Sequence, residues 1–290
     1  MLGLYPRRPT VKRVGDAIGA VVDRIVEEWQ LRPDGPVIRG SRSVLLPVRT
    51  SASLPAVLKV GHPGAADTQE HLVLRRWAGD GAVRLLRADP HRRALLIERL
   101  HARSLLAVSD AQACVVIADL YRRLHVPPLP QLGSLASLVQ NWVQDFEALP
   151  RSAPIPHRLV EQASATGREL AGERSDSERT LHGDLHYGAV LAADREPWLC
   201  ISPRPVNGDP HSEIAPMLWH RWDDLAGHVR DGVRARFWAL VDAADFDEDR
   251  ARAWVIVRVV HQATRELTRG AGADDAAVTR CVAIAKAVQD

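Results

Sequence analysis

The stretch Leu181-His182-Gly183-Asp184-Leu185-His186-Tyr187-Gly188-Ala189-Val190 places a short polar loop between apolar residues. Apolar flanks of this kind are anchored in a core and leave the residues between them at a surface. There Asp184 has two readings: a carboxylate facing a cleft, or a carboxylate capping a turn with His182 and His186 satisfied by backbone groups. The HxxxH spacing of the two histidines lies on a loop and lacks the helix and glutamate of HExxH, so zinc is not expected.

The pattern differs on the two sides of this loop. Residues 14–30 carry apolar positions at helical spacing, and Pro33, Gly35 and Pro36 then break the helix. Three apolar runs follow, VIRGSRSVLLPVRT (37–50), PAVLKV (55–60) and RALLIERL (93–100), whose length and β-branched content predict antiparallel strands. Between the last two, TQEHLVLRRWAG (68–79) predicts a short helix closed by Gly79. Helices are predicted over 110–125, with Asp110 as N-cap, and near 134–148 and 156–173. A strand-and-loop section spans 180–205, and the chain then reads as helical to the end, including 246–269 and 274–288. The expected layout is an α+β chain with a small strand-rich lobe, 1–100, and a larger helical lobe, 101–290.

Composition narrows the classes. Of 38 basic residues only Lys12, Lys59 and Lys286 are lysines, and 36 acidic residues leave a formal charge of +2. That balance argues against nucleic-acid binding, which favours a clear basic excess. No apolar run approaches the roughly 20 residues that cross a bilayer, so membrane insertion is not expected. Cys114, Cys200 and Cys281 are far apart and odd in number, which fits neither a disulfide framework nor a zinc spacing and points to a reducing, cytoplasmic location. The eight tryptophans, in segments such as LWHRW, are expected to pack the lobes. Lys59 sits in an apolar predicted strand, where a charged side chain is costly unless a partner meets it; Glu70, eleven residues on in the next helix, is either that partner or an unrelated surface glutamate beside a lysine that reaches solvent at the strand edge.

PAVLKVG (55–61), YRRLHVP (121–127), LHGDLHYG (181–188) and NGDPHSEIAPMLW (207–219) together resemble the aminoglycoside and hydroxyurea phosphotransferase family, from about residue 30 to beyond 225. The resemblance implies a protein-kinase-like two-lobed fold, with a small antiparallel-sheet N-lobe and a larger, mainly helical C-lobe. It implies ATP as nucleotide, with Lys59 holding its phosphates, Glu70 pairing with Lys59, and Glu98 to Leu100 forming the hinge that meets the adenine. Asp184 matches the aspartate that orients an acceptor hydroxyl and takes its proton. The turn Gly40–Val44 stands where a phosphate-covering loop belongs, without the GxGxxG pattern. An acidic pocket for a cationic sugar would draw on Asp184, Asp209, Glu213, Asp223 or Asp224, although all but the first are expected to be solvated or capping.

Two positions depart from that family. Its catalytic loop carries an asparagine where Ala189 stands, and its I-D-P triplet reads Ile201-Ser202-Pro203 here. Both protein ligands for Mg²⁺ are thereby replaced, so magnesium binding is expected to be weak or absent. The expectation is a pseudokinase that holds a nucleotide, a small molecule, or a peptide or protein partner with little phosphoryl transfer. The alternative is an active ATP-dependent kinase of a hydroxylated small molecule such as an aminoglycoside, an antibiotic resistance enzyme.

Overall fold

Burial alternates residue by residue along β3 (Ser43–Arg49) and β4 (Pro55–Gly61), with Val44, Leu46 and Val48 and then Ala56, Leu58 and Val60 on the buried face. In the computed structural model, which describes residues 17–62, 69–173, 177–269 and 275–289, these strands pair antiparallel. With β1 (Arg32–Pro33), β2 (Ile38–Arg39), β5 (Leu85–Asp89) and β6 (Ala94–Glu98) they form a six-stranded sheet. Its order is β1-β3-β4-β6-β5, with β2 on β3. Helix α1 (Ala17–Glu28) lays Ile18, Val22 and Ile25 on the buried face, against Val44, Leu46, Ala56, Leu58 and Val60. The predicted helix began at residue 14, and residues 14–16 and Lys12 lie outside the described residues. Two strands escaped the prediction: β1 is only two residues long, and β5 carries Arg87 within a bulged register.

Helix α2 (Glu70–Trp77) follows β4. Its left-handed cap falls one residue before the expected glycine, on Ala78 (φ 52°), whose N–H returns to the Leu74 carbonyl.

The second unit comprises Asp80–Ala82 and His101–Asp290, and the first the remaining residues up to Leu100. Helices α3 (Asp110–Leu124), α4 (Leu135–Glu147) and α5 (His157–Gly172) precede a strand-and-loop section. That section holds β7 (Arg179–Leu181), β8 (Val190–Leu191), β9 (Leu199–Cys200) and β10 (Val206–Gly208). Helices α6 (Ala215–Trp219), α7 (Val229–Ala244), α8 (Glu248–Leu267) and α9 (Asp275–Gln289) complete it.

The cap of α3 corrects the sequence expectation by one residue. Ser109 is the N-cap, in a capping box with Gln112. Asp110, released from that task, accepts hydrogen bonds from Arg236 Nε at 2.7 Å and Tyr187 Oη at 3.0 Å. Arg236 is 1% exposed, and a guanidinium so buried is tolerable only with such a partner. No described helix is long and apolar enough to cross a membrane. Cys114, Cys200 and Cys281 are all buried and form no disulfide.

Candidate active site

The loop after β7 is held from below by a carboxylate. β7 pairs antiparallel with β10, Leu181 opposite Val206, which brings the two ends of the 182–205 segment together. Glu213, 1% exposed, accepts from the N–H of Gly183 at 2.5 Å and of His182 at 3.3 Å, and pairs with His125 Nε2 at 2.8 Å. Burial pushes its carboxyl up, but the His125 hydrogen bond and charge with the backbone donor outweigh that, and it titrates below its ordinary value. Glu213 is thus a loop anchor rather than a solvated or capping residue. Gly183 sits at φ +80°, where a Cβ would collide with the Arg204 carbonyl oxygen. His182 is fully buried, its Nε2 on the Ile201 carbonyl at 3.1 Å and its Nδ1 accepting from the Asp184 N–H at 3.3 Å.

These contacts put Asp184 on the wall of a cavity of about 560 Å³ within the second unit, together with His186, His220, Trp142 and Trp219. Its side chain is 18% exposed and lies 3.2 Å from Arg204 NH1. Burial raises the Asp184 carboxyl, yet Arg204, His186, His182 and Arg258 together hold it below the usual range, so it is ionised at neutral pH. His186 and His220 stack at 3.6 Å, and burial followed by the neighbouring ring lowers His186 to about 4.

Asp184, His186 and His220 each offer a ligand atom within 4.8 Å of the others. The two imidazoles are within 6° of parallel, so their in-plane lone pairs do not converge, and His186 Nδ1 already accepts from the Gly188 N–H at 3.1 Å. A metal ion there would require one ring to turn. At the two positions where the family's magnesium ligands are expected, Ala189 is buried with no donor atom and Ser202, at φ 55°, offers a neutral hydroxyl. This donor set does not fit Mg²⁺, which is usually held by one or two carboxylates with waters and phosphates.

On the first unit, Lys59 Nζ lies 2.6 Å from Glu70 Oε2, with side chains 14% and 7% exposed. Lys59 occupies the face of β4 opposite Leu58 and Val60, between Leu45 and Leu95 in register. Glu70 Oε1 is buried without a hydrogen-bond partner. At the end of β6, Glu98 Oε1 accepts from the Arg84 N–H at 2.9 Å and the Glu98 N–H donates to the Arg84 carbonyl, while Leu100 makes no hydrogen bond among the described residues. The Gly40–Val44 segment is a tight turn closed by Gly40 N–H on the Ser43 carbonyl.

Asp209 caps a short helix and Asp223 and Asp224 are exposed, the capping and solvated roles expected for them rather than an acidic pocket. Asp209 is 6% exposed and is consumed by His211, Arg250 and Trp254 Nε1; burial raises its carboxyl, but the hydrogen bonds and charge of His211 and the hydrogen bond of Trp254 outweigh that and leave it at about 2. Asp223 and Asp224 lie on an exposed turn, the latter paired with Arg221. Of the carboxylates proposed for that pocket, Asp184 alone lines the cavity. Sequence reasoning also missed Trp142 and Trp219, assigned there to packing, and Arg258, whose guanidinium lies 5.8 Å from each of their rings. The signal was present in α8, where polar residues recur at helical spacing on one face.

Comparison with known proteins gives a consistent result. A family model described as aminoglycoside/hydroxyurea antibiotic resistance kinase matches residues 28–270. A streptomycin 6-kinase of Streptomyces glaucescens is 38% identical over 282 residues, 92% of this chain and 89% of that protein. A hydroxyurea phosphotransferase of Kitasatospora aureofaciens is 38% identical, covering 86% of this chain and 73% of that protein. Among solved structures, a choline/ethanolamine kinase family protein from Mesorhizobium loti superposes with a TM-score of 0.66 at 14% identity, covering 93% of this chain and 95% of that one. A thermostable mutant of aminoglycoside phosphotransferase APH(4)-Ia, bound to ADP and hygromycin B, gives 0.62 at 16% identity, covering 91% and 97%. These last two show the kinase-like α+β fold. The family model and the full-length relatives show more: the chain belongs to the aminoglycoside/hydroxyurea antibiotic resistance kinase family.

Proposed function

We propose that the chain is an ATP-dependent phosphotransferase acting on a hydroxyl group of a small molecule. The observation that carries this reading is the placement of Asp184, ionised and anchored through Gly183 and His182, on the wall of a cavity large enough for a small-molecule acceptor. Relatives named for streptomycin and hydroxyurea phosphorylation that match over most of their length support transfer over binding alone.

In this reading Asp184 accepts a hydrogen bond from the acceptor hydroxyl, aligns its oxygen for attack on the γ-phosphorus and takes up its proton as the new P–O bond forms and the bond from the γ-phosphorus to the bridging oxygen breaks, ADP leaving with that oxygen. Arg204, 3.2 Å away, keeps that carboxylate ionised until the hydroxyl arrives. Lys59, oriented by Glu70, holds the nucleotide's phosphates, and the end of β6 at Glu98 and Leu100 supplies backbone groups for the base; the unpaired amide and carbonyl of Leu100 support that role. No step is assigned to magnesium, because Ala189 and Ser202 do not supply its ligands.

That same pair of residues favours a second reading, a chain that binds nucleotide and acceptor without transferring. Incubation with γ-labelled ATP and a panel of hydroxylated acceptors separates the two. Labelled acceptor that disappears in Asp184→Asn supports transfer; saturable nucleotide binding with no labelled product supports binding alone.

A further inference from the structure

We infer that the cavity beside Asp184 takes an anionic small molecule, one carrying a phosphate or carboxylate group, rather than a cationic aminoglycoside. The inference concerns which acceptor the site binds, and so rests on reading Asp184 as the acceptor site.

Arginines dominate the charge of the cavity wall. Arg204, Arg258, Arg265, Arg269 and Arg280 line it, against the carboxylates of Asp184 and Glu266. Both carboxylates are already engaged from within the wall. Asp184 pairs with Arg204, and Glu266 accepts from Arg269 through both oxygens, at 2.8 and 2.6 Å, and from Gln262 at 3.0 Å. No unengaged carboxylate therefore faces a cationic ligand among the described lining residues.

The guanidinium donors are not so fully used. Arg258 projects between the Trp142 and Trp219 rings, and among the described residues its one hydrogen bond is to the Gly183 carbonyl, at 3.2 Å. A guanidinium has five N–H donors in a planar fork suited to a carboxylate or phosphate. Arg265 makes no hydrogen bond or ion pair through its side chain among the described residues. His261, stacked 4.0 Å from Trp142, keeps a buried Nδ1 without a partner. The positions are ordered by the fold: Arg258, Gln262 and Arg265 follow one another at four and three residues along α8, so a single helix face carries two of the guanidinium groups into the cavity, and Arg269 joins them from the turn just past the helix end. The many arginines of the composition explain why these cations are not lysines, but not why they share one face.

A concave wall of one sign with low-dielectric aromatic neighbours concentrates counter-ions of the other sign and repels its own. A ligand bearing several ammonium or guanidinium groups meets an excess of three positive charges here; an anion meets unfilled donors.

The test is binding, measured apart from transfer. Isothermal titration calorimetry on the full chain uses inorganic phosphate, glucose 6-phosphate, glucuronate, glucose and glucosamine, at low and high salt. We expect the anionic sugars to bind at least about tenfold more tightly than glucose or glucosamine, a preference of about 1.4 kcal/mol, and to weaken with salt. Arg265→Gln, an exposed change, and Arg258→Met should each reduce that preference several-fold. Phosphate sugar and glucuronate are separate arms, and whichever binds more tightly names the group. Equal or tighter binding of glucosamine, no binding of any anion, or a preference unmoved by both substitutions overturns the inference. Anion binding without label transfer from ATP overturns only the transferase reading, whereas transfer to a cationic acceptor with no anion binding overturns only this one.

Discussion

Replacing Glu213 by Gln removes the charge that holds the Asp184 loop while keeping the side chain's volume. The carboxylate is 1% exposed and receives three donors: Gly183 N–H at 2.5 Å, His125 Nε2 at 2.8 Å and His182 N–H at 3.3 Å. A hydrogen bond to a charged group contributes about 1.5–3 kcal/mol, and a buried donor left unsatisfied costs about 1–3 kcal/mol. Gln retains one acceptor oxygen but turns its own N–H₂ toward at least one of those donors. Two of the three bonds are short, so the loss works out at about 3–5 kcal/mol, the range found when one partner of a buried pair is removed. In a unit of this size that corresponds to a fall in melting temperature on the order of 10 °C. Calorimetry together with urea unfolding followed by tryptophan fluorescence measures it. Asp223→Asn, on an exposed turn, is the control and should change stability by less than about 0.5 kcal/mol. A loss below about 1 kcal/mol for Glu213→Gln would show that the loop is held by something other than this carboxylate.

Three further outcomes follow from the same geometry. Gly183→Ala forces a Cβ against the Arg204 carbonyl at φ +80° and should cost about 2 kcal/mol or more together with most activity; a neutral result by urea unfolding would mean the loop relaxes freely. Burial, then Arg258 and Arg265, lowers His261 to about 3, whereas the unfolded chain titrates near 6.5. Between those values the unfolded state binds a proton the fold refuses, so stability falls with falling pH; His261→Phe should lessen the loss from pH 7 to pH 5 by about 2 kcal/mol, and unchanged slopes in the two proteins would refute the assignment. Restoring oxygen ligands with Ala189→Asn and Ser202→Asp should raise magnesium-dependent transfer on the order of 10²-fold, and an unchanged rate would show that these positions do not limit the reaction.

The strands and helices that carry the site were legible because their patterns are local. Short apolar runs rich in β-branched residues marked β3 and β4, helical spacing marked α3 to α5, and the polar island of 182–186 between apolar flanks marked the loop. Lys59 and Glu70 could be paired because strand and helix are consecutive. What stayed hidden depends on long-range contacts. Glu213 looks like any acidic residue near a helix start, and only burial beside residues 125, 182 and 183 reveals its role as an anchor. The capping role expected for Asp209 is present, but its burial under Arg250 and Trp254 from α8 was hidden for the same reason. The arginine face of α8 was visible in the spacing of 258 and 265, with 269 just past the helix end. Its place on the same cavity wall as Asp184 appeared only with the fold.

The most direct test of the account is phosphoryl transfer at Asp184. γ-Labelled ATP is incubated with wild type, with Asp184→Asn, and with acceptors that include streptomycin, hydroxyurea, glucose 6-phosphate and glucuronate. The account predicts a labelled acceptor with wild type and a loss of about 10²-fold or more in Asp184→Asn with nucleotide binding retained. Equal transfer by the two proteins, or no labelled acceptor from a wild type that binds ATP, would contradict it.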